Sequence, residues 1–316
     1  MLIPPGETII ETKSCKLCGA VFHITDKDLE FYDKVSPVFK GKKESIPTPT
    51  FCPDCRQQRR CVFLNQRNLY VRPCDATGKT IVSQYQPSAR HPVYDVDYWH
   101  SDAWDPLGYG RSFDFSSSFF GQFEELFFSV PRPSRWVTFN ENCDYMNGGA
   151  YNRDCYLIFN GSHNERCYYS LGIARCSHCM DSTRISSSEG LYECVEASGC
   201  FRCFFCRAIQ NSSDCWYSLA CGSCRHCFGC VNLVNAQYAI FNETHSPEEY
   251  HRRVDALLAL DPLQLRKMIA DHFGKYPRRF ADINQSENVI GNVLLSCKNA
   301  FHCFECENLE NGKWCL

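Results

Sequence analysis

The spacing of cysteine in the second half of the chain is the feature that most constrains its fold. Seven cysteines are separated from one another by multiples of twelve residues, and Leu191 occupies the one position of this series that lacks a cysteine. The series comprises Cys143, Cys155, Cys167, Cys179, Cys203, Cys215 and Cys227. The other cysteines between residues 143 and 230 all lie a multiple of three residues from it. Fourteen agreements among three phases would arise by chance about once in a million, so the spacing indicates a structural repeat.

A twelve-residue repeat with fixed positions at every third residue predicts a narrow parallel β-solenoid. Twelve extended residues give a perimeter of at most ~40 Å, and so narrow an interior accepts only small side chains at native packing density. Cysteine is small and often buried. The pattern resembles the coils of the β-helical insect antifreeze proteins, over about residues 140–242. The flanking threonines that carry ice binding there are absent, so the resemblance implies the fold and not that activity.

The solenoid cysteines allow three interpretations. Reduced thiols that pack inward are favoured, because a bridge within one coil is available only to Cys215 and Cys221. Stacked neighbours such as Cys194 and Cys206 would form strained disulfides. A lumen lined by thiols would also suit a soft metal ion, which makes a thiol or metal reservoir the third alternative.

The residue after each anchor position predicts an outward-facing column of aromatic side chains. We call this column the aromatic stripe: Tyr156, Tyr168, Tyr192, Phe204, Trp216 and Phe228. An apolar column of this size needs a cover. The favoured cover is the aromatic segment 94–130 of the same chain. The alternatives are a homodimer face, a docking face for another protein, or a platform on which bases stack.

Two helix-start signals interrupt the repeat. Ser246 is followed by Pro247 and Glu249, which predicts a helix that reaches about Leu260. Asp261-Pro262 predicts a second helix to about residue 273. The repeat spacing then resumes at residues 291–315. The sequence therefore predicts a helical hairpin, within residues 244–285, that either covers the aromatic stripe or binds a partner.

Two CxxC pairs near the start of the chain predict a metal site. Cys15 and Cys18 form the first pair, and Cys52 and Cys55 form the second, 33 residues further on. Each pair turns two thiolates toward one ion, so the four cysteines predict one structural zinc ion in a tetrahedral site. A zinc ion at such a site stabilises a small module by about 10–16 kcal/mol.

The same residues resemble a known bacterial domain family, the probable zinc-ribbon. The likeness rests on Cys15 to Phe22, on Phe31-Tyr32 and on Pro49 to Arg59, over about residues 12–60. This chain differs in carrying extra residues between Tyr32 and Cys52. The resemblance implies bound zinc and a ribbon-like fold, and it implies no catalytic activity.

Basic residues follow the second CxxC pair. They include Arg56, Arg59, Arg60 and Arg67, in a stretch from 40 to 72 that carries an excess of positive charge. Basic residues beside a zinc site predict contacts with the phosphates of RNA or DNA. The alternatives are a solvated basic face or pairing with acidic groups of the fold. Cys61 and Cys74 lack a CxxC partner, which favours core packing for both.

The predicted fold is mostly β with small α parts, in three domains. Residues 1–74 form a zinc-ribbon domain, and 75–139 form an aromatic-rich capping or linking segment with a helix from Ser116 to Val130. Residues 140–316 form a cysteine-rich β-solenoid interrupted by the hairpin 244–285. The dense phenylalanines of the middle segment favour a core layer or cap, and a ligand pocket is the alternative.

Composition limits the function classes. The 316 residues carry 24 cysteines and a formal net charge of -3, so the whole chain has no electrostatic attraction to nucleic acid. No apolar run is long enough to cross a membrane, and no signal peptide is recognisable, so we expect a cytoplasmic protein. No catalytic motif is present, and we expect no enzyme. The favoured function is a zinc-binding protein that contacts nucleic acid or a nucleoprotein. The alternative is a scaffold that binds proteins, as a homodimer or with another partner, through the stripe and hairpin.

Overall fold

The structure is a computed structural model, and it describes residues 3–4, 6–61, 65 and 67–315 of the protein. The structure is mostly β with short helices, as predicted. The chain divides into two compact units, Met1–Leu64 with Arg278–Leu316, and Asn65–Pro277. The domain boundaries predicted from cysteine usage stay predictions.

The N-terminal part of the first unit is a β-hairpin followed by two helices. Its elements are β1 (Ile9–Ser14), β2 (Val21–Thr25), α1 (Asp26–Val35), β3 (Val38–Phe39), β4 (Lys42–Lys43) and α2 (Pro53–Cys61). Strands β1 and β2 pair antiparallel, and so do β3 and β4. Helix α1 begins at a capping box, in which the Thr25 side chain accepts from the backbone N–H of Asp28 while the Asp28 carboxylate accepts from that of Thr25. The core consists of Phe22 and Ile24 together with three cysteines of the CxxC pairs.

The second unit starts with a small irregular region. Its elements are β5 (Tyr70–Pro73), β6 (Thr80–Ser83), β7 (Val93–Tyr94), α3 (Val96–Trp99), a 3₁₀ turn (Pro106–Tyr109), α4 (Phe119–Ser129) and β8 (Arg132–Pro133). Cys74, Ile81 and Val93 form its core. Helix α4 starts three residues later than predicted, because the Ser118 side chain caps it by accepting from the N–H of Gly121.

Parallel strands occupy the repeat region. The strands are β9 (Val137–Thr138), β10 (Asn147–Ala150), β11 (Phe159–Ser162), β12 (Leu171–Ala174), β13 (Thr183–Ser186), β14 (Val195–Ser198), β15 (Arg207–Gln210), β16 (Ser213–Trp216), β17 (Arg225–Phe228), β18 (Gln237–Ile240) and β19 (Glu243–Thr244). Strands β9 to β15 form a seven-stranded parallel sheet, and β16 to β18 are parallel in a second sheet closed by antiparallel β19. Residue Phe159 pairs with Leu171, and Leu171 pairs with Thr183, so each strand pairs with residues twelve positions along.

From Cys155 to Cys230, the residues that the period predicts to point inward are all buried. Cys203, Cys206, Ile209 and Ser212 of one repeat are each at most 2% exposed. Cysteine and serine make the same local contact, since the Cys206 thiol and the Ser212 hydroxyl each donate to the carbonyl oxygen two residues earlier. This shared hydrogen bond explains how the two residue types alternate in one narrow core.

The backbone of the repeat is left-handed at every third residue, which was not predicted from the sequence. From 142 to 241, the residue before each inward-facing residue has a φ near +50 to +70°, in the left-handed region. Only a few of these residues are glycine, and none is valine, isoleucine or threonine. Because a β-branched side chain fits this conformation worst, their absence at every third position is the sequence signal for it.

Substitutions at Ala220, which has φ 54°, test this backbone conformation. We expect Ala220→Gly to raise the free energy of unfolding by about 0.5 kcal/mol, because relief of the left-handed strain exceeds the entropy that glycine adds to the unfolded chain. Ala220→Val should lower it by about 1–2 kcal/mol. Urea unfolding followed by circular dichroism measures both changes.

Ala174, a half-buried residue of β12 that is not left-handed, is the matched control. There, glycine should destabilise and valine should be tolerated, since valine favours strands. If the glycine, alanine and valine variants had the same order of stabilities at both positions, the left-handed conformation assigned to Ala220 would be wrong.

A helical hairpin follows β19, as predicted. Its helices are α5 (Pro247–Leu258) and α6 (Pro262–Phe273). Ser246 caps the first, and Asp261 caps the second by accepting from two backbone N–H groups at 3.0 Å. The hairpin buries Tyr250, Leu265 and Ile269 against Phe228 and Ile240. It therefore covers the C-terminal end of the aromatic stripe.

The chain then returns to parallel strands in the first unit. These strands are β20 (Ile283–Asn284), β21 (Ile290–Leu295) and β22 (Phe301–Glu307). Gly291 pairs with Cys303, again twelve residues apart, and Leu294, Cys297, Ala300 and Cys303 form the core. Within the described ranges, no helix is both long and apolar enough to span a bilayer.

Candidate metal centre

The first CxxC pair lies in the turn that joins β1 to β2. Cys15 directly follows β1, and its backbone N–H donates to the carbonyl of Ala20 at 2.9 Å. The turn closes where the N–H of Gly19 donates to the carbonyl of Cys15 at 2.9 Å. Gly19 has a φ of +76°, which a residue with a Cβ rarely adopts. This turn brings Cys15 and Cys18 to one side of the hairpin end.

The second CxxC pair lies at the start of helix α2. Cys52 precedes the helix, Pro53 is its first residue, and Cys55 is in its first turn. The helix geometry is confirmed here by the N–H of Arg56, which donates to the carbonyl of Cys52 at 3.0 Å. A helix N-terminus carries partial positive charge and stabilises thiolates. One pair in a β-turn and one at a helix start thus supply the ligands.

The four thiols have the separations that a tetrahedral metal ion requires. Their Sγ atoms all lie within 4.8 Å of one another. Cys18 Sγ and Cys52 Sγ are 3.7 Å apart, and four sulfurs at about 2.3 Å from a zinc ion would be about 3.8 Å apart. Cys15, Cys52 and Cys55 are buried, while Cys18 is exposed. The cluster can therefore hold a metal ion such as zinc.

The thiols have unequal acidities in the absence of a metal. Burial raises the pKa of Cys15, but hydrogen bonds from the backbone N–H groups of Cys18, Cys52 and Leu17 outweigh this effect. Together they lower the pKa of Cys15 to about 6. The pKa of Cys55 is raised, first by its hydrogen bond with the Cys18 thiol and then by burial. Burial also raises the pKa of Cys52. A divalent cation would compensate the charge of the thiolates and remove this competition for protons.

Helix α2 carries three of the four predicted basic residues. Arg59 and Arg60 are exposed, and Arg59 lies over the Phe51 ring at 4.9 Å. The half-buried Arg56 donates to the Tyr32 hydroxyl at 3.4 Å. Arg67 is also exposed. None of these four arginines forms an ion pair with an acidic residue in the part of the chain described.

Arg72 behaves differently from these arginines. It is 5% exposed and pairs with Asp75 at 2.8 Å. The alternative of internal pairing therefore holds for Arg72, the last residue of the basic stretch 40–72. On α2, by contrast, Arg59 and Arg60 carry exposed positive charge.

A cavity of about 830 Å³ lies within the first unit beside α2. Arg56 and Arg60 line it together with Tyr32 of α1 and Trp314 near the C-terminus. Lys313 also lines it, but it is engaged with Glu7 at 2.5 Å and with Asp28 at 3.1 Å. Lys34 of α1 also lines the cavity, and like the two arginines it forms no ion pair with an acidic residue among the described residues.

The aromatic stripe forms a column, since parallel bridges link its residues at twelve-residue intervals from Tyr156 to Trp216. The rings of Phe204 and Trp216 are 4.5 Å apart. Tyr168 is 38% exposed, whereas Phe228 is buried under the helical hairpin. The rest of the stripe, Tyr156, Tyr192, Phe204 and Trp216, is half-buried.

The middle segment does not form the core layer predicted for its phenylalanines. Phe119, Phe120, Phe123 and Phe127 of helix α4 are 41 to 78% exposed. The rings nearer its start, from Tyr94 to Tyr109, contact one another. The sequence showed that this segment is rich in aromatic residues, but it did not indicate whether the phenylalanines of α4 would pack against another part of the chain.

Comparisons of the chain with protein-family models, with curated proteins and with solved structures gave no match. The four-cysteine cluster is the one group of three or more metal-ligating side chains found within the described residues. This cluster and its surroundings are therefore the candidate functional site.

Proposed function

We propose that this chain is a non-catalytic zinc-binding protein whose helix α2 binds the phosphates of RNA or DNA. The observation that carries the proposal is the pair of exposed arginines, Arg59 and Arg60, on a helix whose N-terminus supplies two of the four thiols. The zinc ion would be structural and would fix the helix against the β1–β2 hairpin. The ribbon-like family resemblance of residues 12–60 is part of the same proposal.

The zinc assignment is supported by the donor set. Four thiolates in a tetrahedral arrangement are typical of structural zinc sites, which leave no position open for a substrate or water. Three buried sulfurs further protect the ion from exchange. A closed site of this kind favours a binding protein over a metalloenzyme.

The phosphate-binding assignment is supported by unpaired charge. Two lysines of the basic stretch are neutralised, since Lys42 pairs with Glu44 at 2.9 Å and Lys43 pairs with Asp33 at 2.6 Å. Arg59 and Arg60 form no such pair with an acidic residue among the described residues. Arginine suits phosphate because its planar group donates two parallel hydrogen bonds to the oxygens.

The repeat region would serve as a rigid support. We interpret its parallel strands as a narrow β-solenoid of twelve-residue coils, which the twelve-residue register and the buried small side chains support. The inward thiols would stay reduced in a cytoplasm, and we place the protein there. The alternative function is a scaffold that binds proteins. The exposed Tyr168 of the aromatic stripe favours it, as does the exposed Met180, which a parallel bridge links to Tyr168.

Charge reversal on α2 tests the proposed function. Fluorescence anisotropy would measure the Kd of a labelled single-stranded RNA and of a DNA duplex between about 50 and 200 mM salt. We expect Arg59→Glu with Arg60→Glu to weaken binding at least tenfold and to reduce the salt slope by about two, one for each lost phosphate contact.

The double variant Arg278→Glu with Arg279→Glu is the matched control, because both arginines are exposed and the change in charge is the same. It should leave the affinity within about threefold of the native protein, and metal analysis should find unchanged zinc in both variants. The proposal is wrong if the native protein binds neither nucleic acid at 50 mM salt, or if the two double variants lose the same affinity.

A further inference from the structure

Six exposed phenylalanines form a continuous apolar surface on and before helix α4. We call it the phenylalanine surface: Phe113, Phe115, Phe119, Phe120, Phe123 and Phe127. Each is between 41 and 92% exposed. Ring contacts of 4.8 to 6.3 Å link them, from Phe115 through Phe113 and Phe119 to Phe127. The surface is therefore one patch and not a set of isolated side chains.

The helix is held in place without burying its aromatic residues. No residue of α4 is buried. Gln122 fastens it to the preceding loop, since its side chain accepts from the N–H of Asp114 at 2.8 Å and donates to the carbonyl of Asp114 at 2.9 Å. Arg132 lies 4.0 Å from the centre of the Phe127 ring and holds one edge. These contacts present the surface and leave its phenylalanines open.

The exposed area exceeds what a monomer usually leaves in water. The exposed fractions of the six residues correspond to about 700 Å², taking roughly 200 Å² for a whole phenylalanine side chain. The largest apolar patch of a typical monomer is about 300–600 Å². A stable interface buries about 800 Å² per partner, so this surface with its rim has the area of one half of a dimer contact.

The charges around the surface favour a second copy of this chain over a membrane. The charged residues of α4 are Glu124 and Glu125, which pair with Arg90 at 3.2 Å and with Arg111 at 3.4 Å. A helix that lies on a membrane carries lysine and arginine along its polar face, and α4 carries none. Asp114, between Phe113 and Phe115, accepts from the hydroxyls of Ser116 and Ser117 and forms no ion pair among the described residues. A patch with this little charge does not strongly repel its own copy, and a two-fold axis places identical patches against each other.

We propose that the phenylalanine surface is the interface of a homodimer, in which two copies of the chain pack their α4 helices together. This proposal is independent of the nucleic-acid function proposed above. A dimer would place two basic α2 helices in one particle, and it needs no further partner.

Sedimentation and light scattering across about 1–100 μM protein test the proposal, a range that brackets micromolar Kd values. The native protein should have twice the 36.4 kDa mass of one chain. Phe115→Asp with Phe120→Asp changes two residues that are 92% and 78% exposed, so neither is needed for folding. This variant should be monomeric, with a dimer Kd raised at least a hundredfold.

Phe280→Asp with Val234→Asp is the matched control, since these residues are 96% and 70% exposed and lie outside the surface. It should remain dimeric. A photoreactive benzoylphenylalanine at Phe120 should cross-link two copies, with the link mapped to residues 113–127 of the second copy.

Three results would overturn the proposal. They are a native protein that is monomeric at 100 μM, a Phe115→Asp, Phe120→Asp variant that stays dimeric, and a cross-link outside residues 113–127. Binding of a monomeric native protein to phosphatidylcholine vesicles, lost in the same variant, would assign the surface to a membrane and also overturn the dimer.

Discussion

Replacement of Cys52 by serine is expected to reduce bound zinc from one ion per chain to none and to unfold the module around α2. Zinc binding by four thiolates supplies about 10–16 kcal/mol in small zinc modules, which exceeds the stability that so small a core can provide. Metal analysis with thiol counting, on protein purified under reducing conditions, measures the stoichiometry. Limited proteolysis of residues 6–61 reports the loss of structure.

Cys61→Ser is the matched control for this experiment. It makes the same chemical change in the same module, but Cys61 lies in the last turn of α2 and outside the four-thiol cluster. Zinc content should stay at one ion per chain, and the proteolytic pattern should not change. Native protein without zinc, or a Cys52→Ser variant that keeps its zinc, would contradict the assignment.

Replacement of the buried Cys206 is expected to have opposite consequences for a small and a large side chain. Cys206 is 1% exposed and donates to the carbonyls of Phe204 and Cys215 at 3.3 Å. Ser182 and Ser218 occupy equivalent positions in other repeats, and their hydroxyls make the corresponding local contact. We therefore expect Cys206→Ser to cost no more than about 1 kcal/mol.

Cys206→Phe should cost about 3 kcal/mol or more, because the ring would have to displace neighbours in an interior that is only a few side chains wide. Urea unfolding measures both free energies. A large loss of stability in Cys206→Ser would mean that the thiol acts in a disulfide or as a metal ligand, and the packing interpretation would be wrong. Metal analysis should find more than one zinc per chain only if the reservoir alternative holds.

Local sequence signals predicted the positions of several elements well. Ser246-Pro247 and Asp261-Pro262 predicted helix starts that the structure confirms, because a cap and a proline act through hydrogen bonds within one turn. The first of these helices ends at Leu258, two residues earlier than expected. The three-residue period predicted the buried positions, because the direction of a side chain depends on its own backbone conformation.

The sequence predicted the four ligands of the candidate metal site but not the elements that position them. The two CxxC pairs named all four thiols, since the spacing itself turns two sulfurs in one direction. The helix under the second pair was not predicted, although Pro53 is a residue typical of a first helical position. The contact of Lys313 with Glu7 and Asp28 joins residues about 300 positions apart, and no local pattern indicates such a pair.

The sequence by itself determined which residues face the interior of the repeat and which four thiols can share an ion, because both follow from the spacing of neighbouring residues. Only the tertiary structure decided which surfaces meet. The helical hairpin, and not the segment 94–130, buries Phe228, and the phenylalanines of α4 remain exposed. Apolar burial is favourable against any apolar partner, so composition shows that a surface needs a cover but not which segment supplies it.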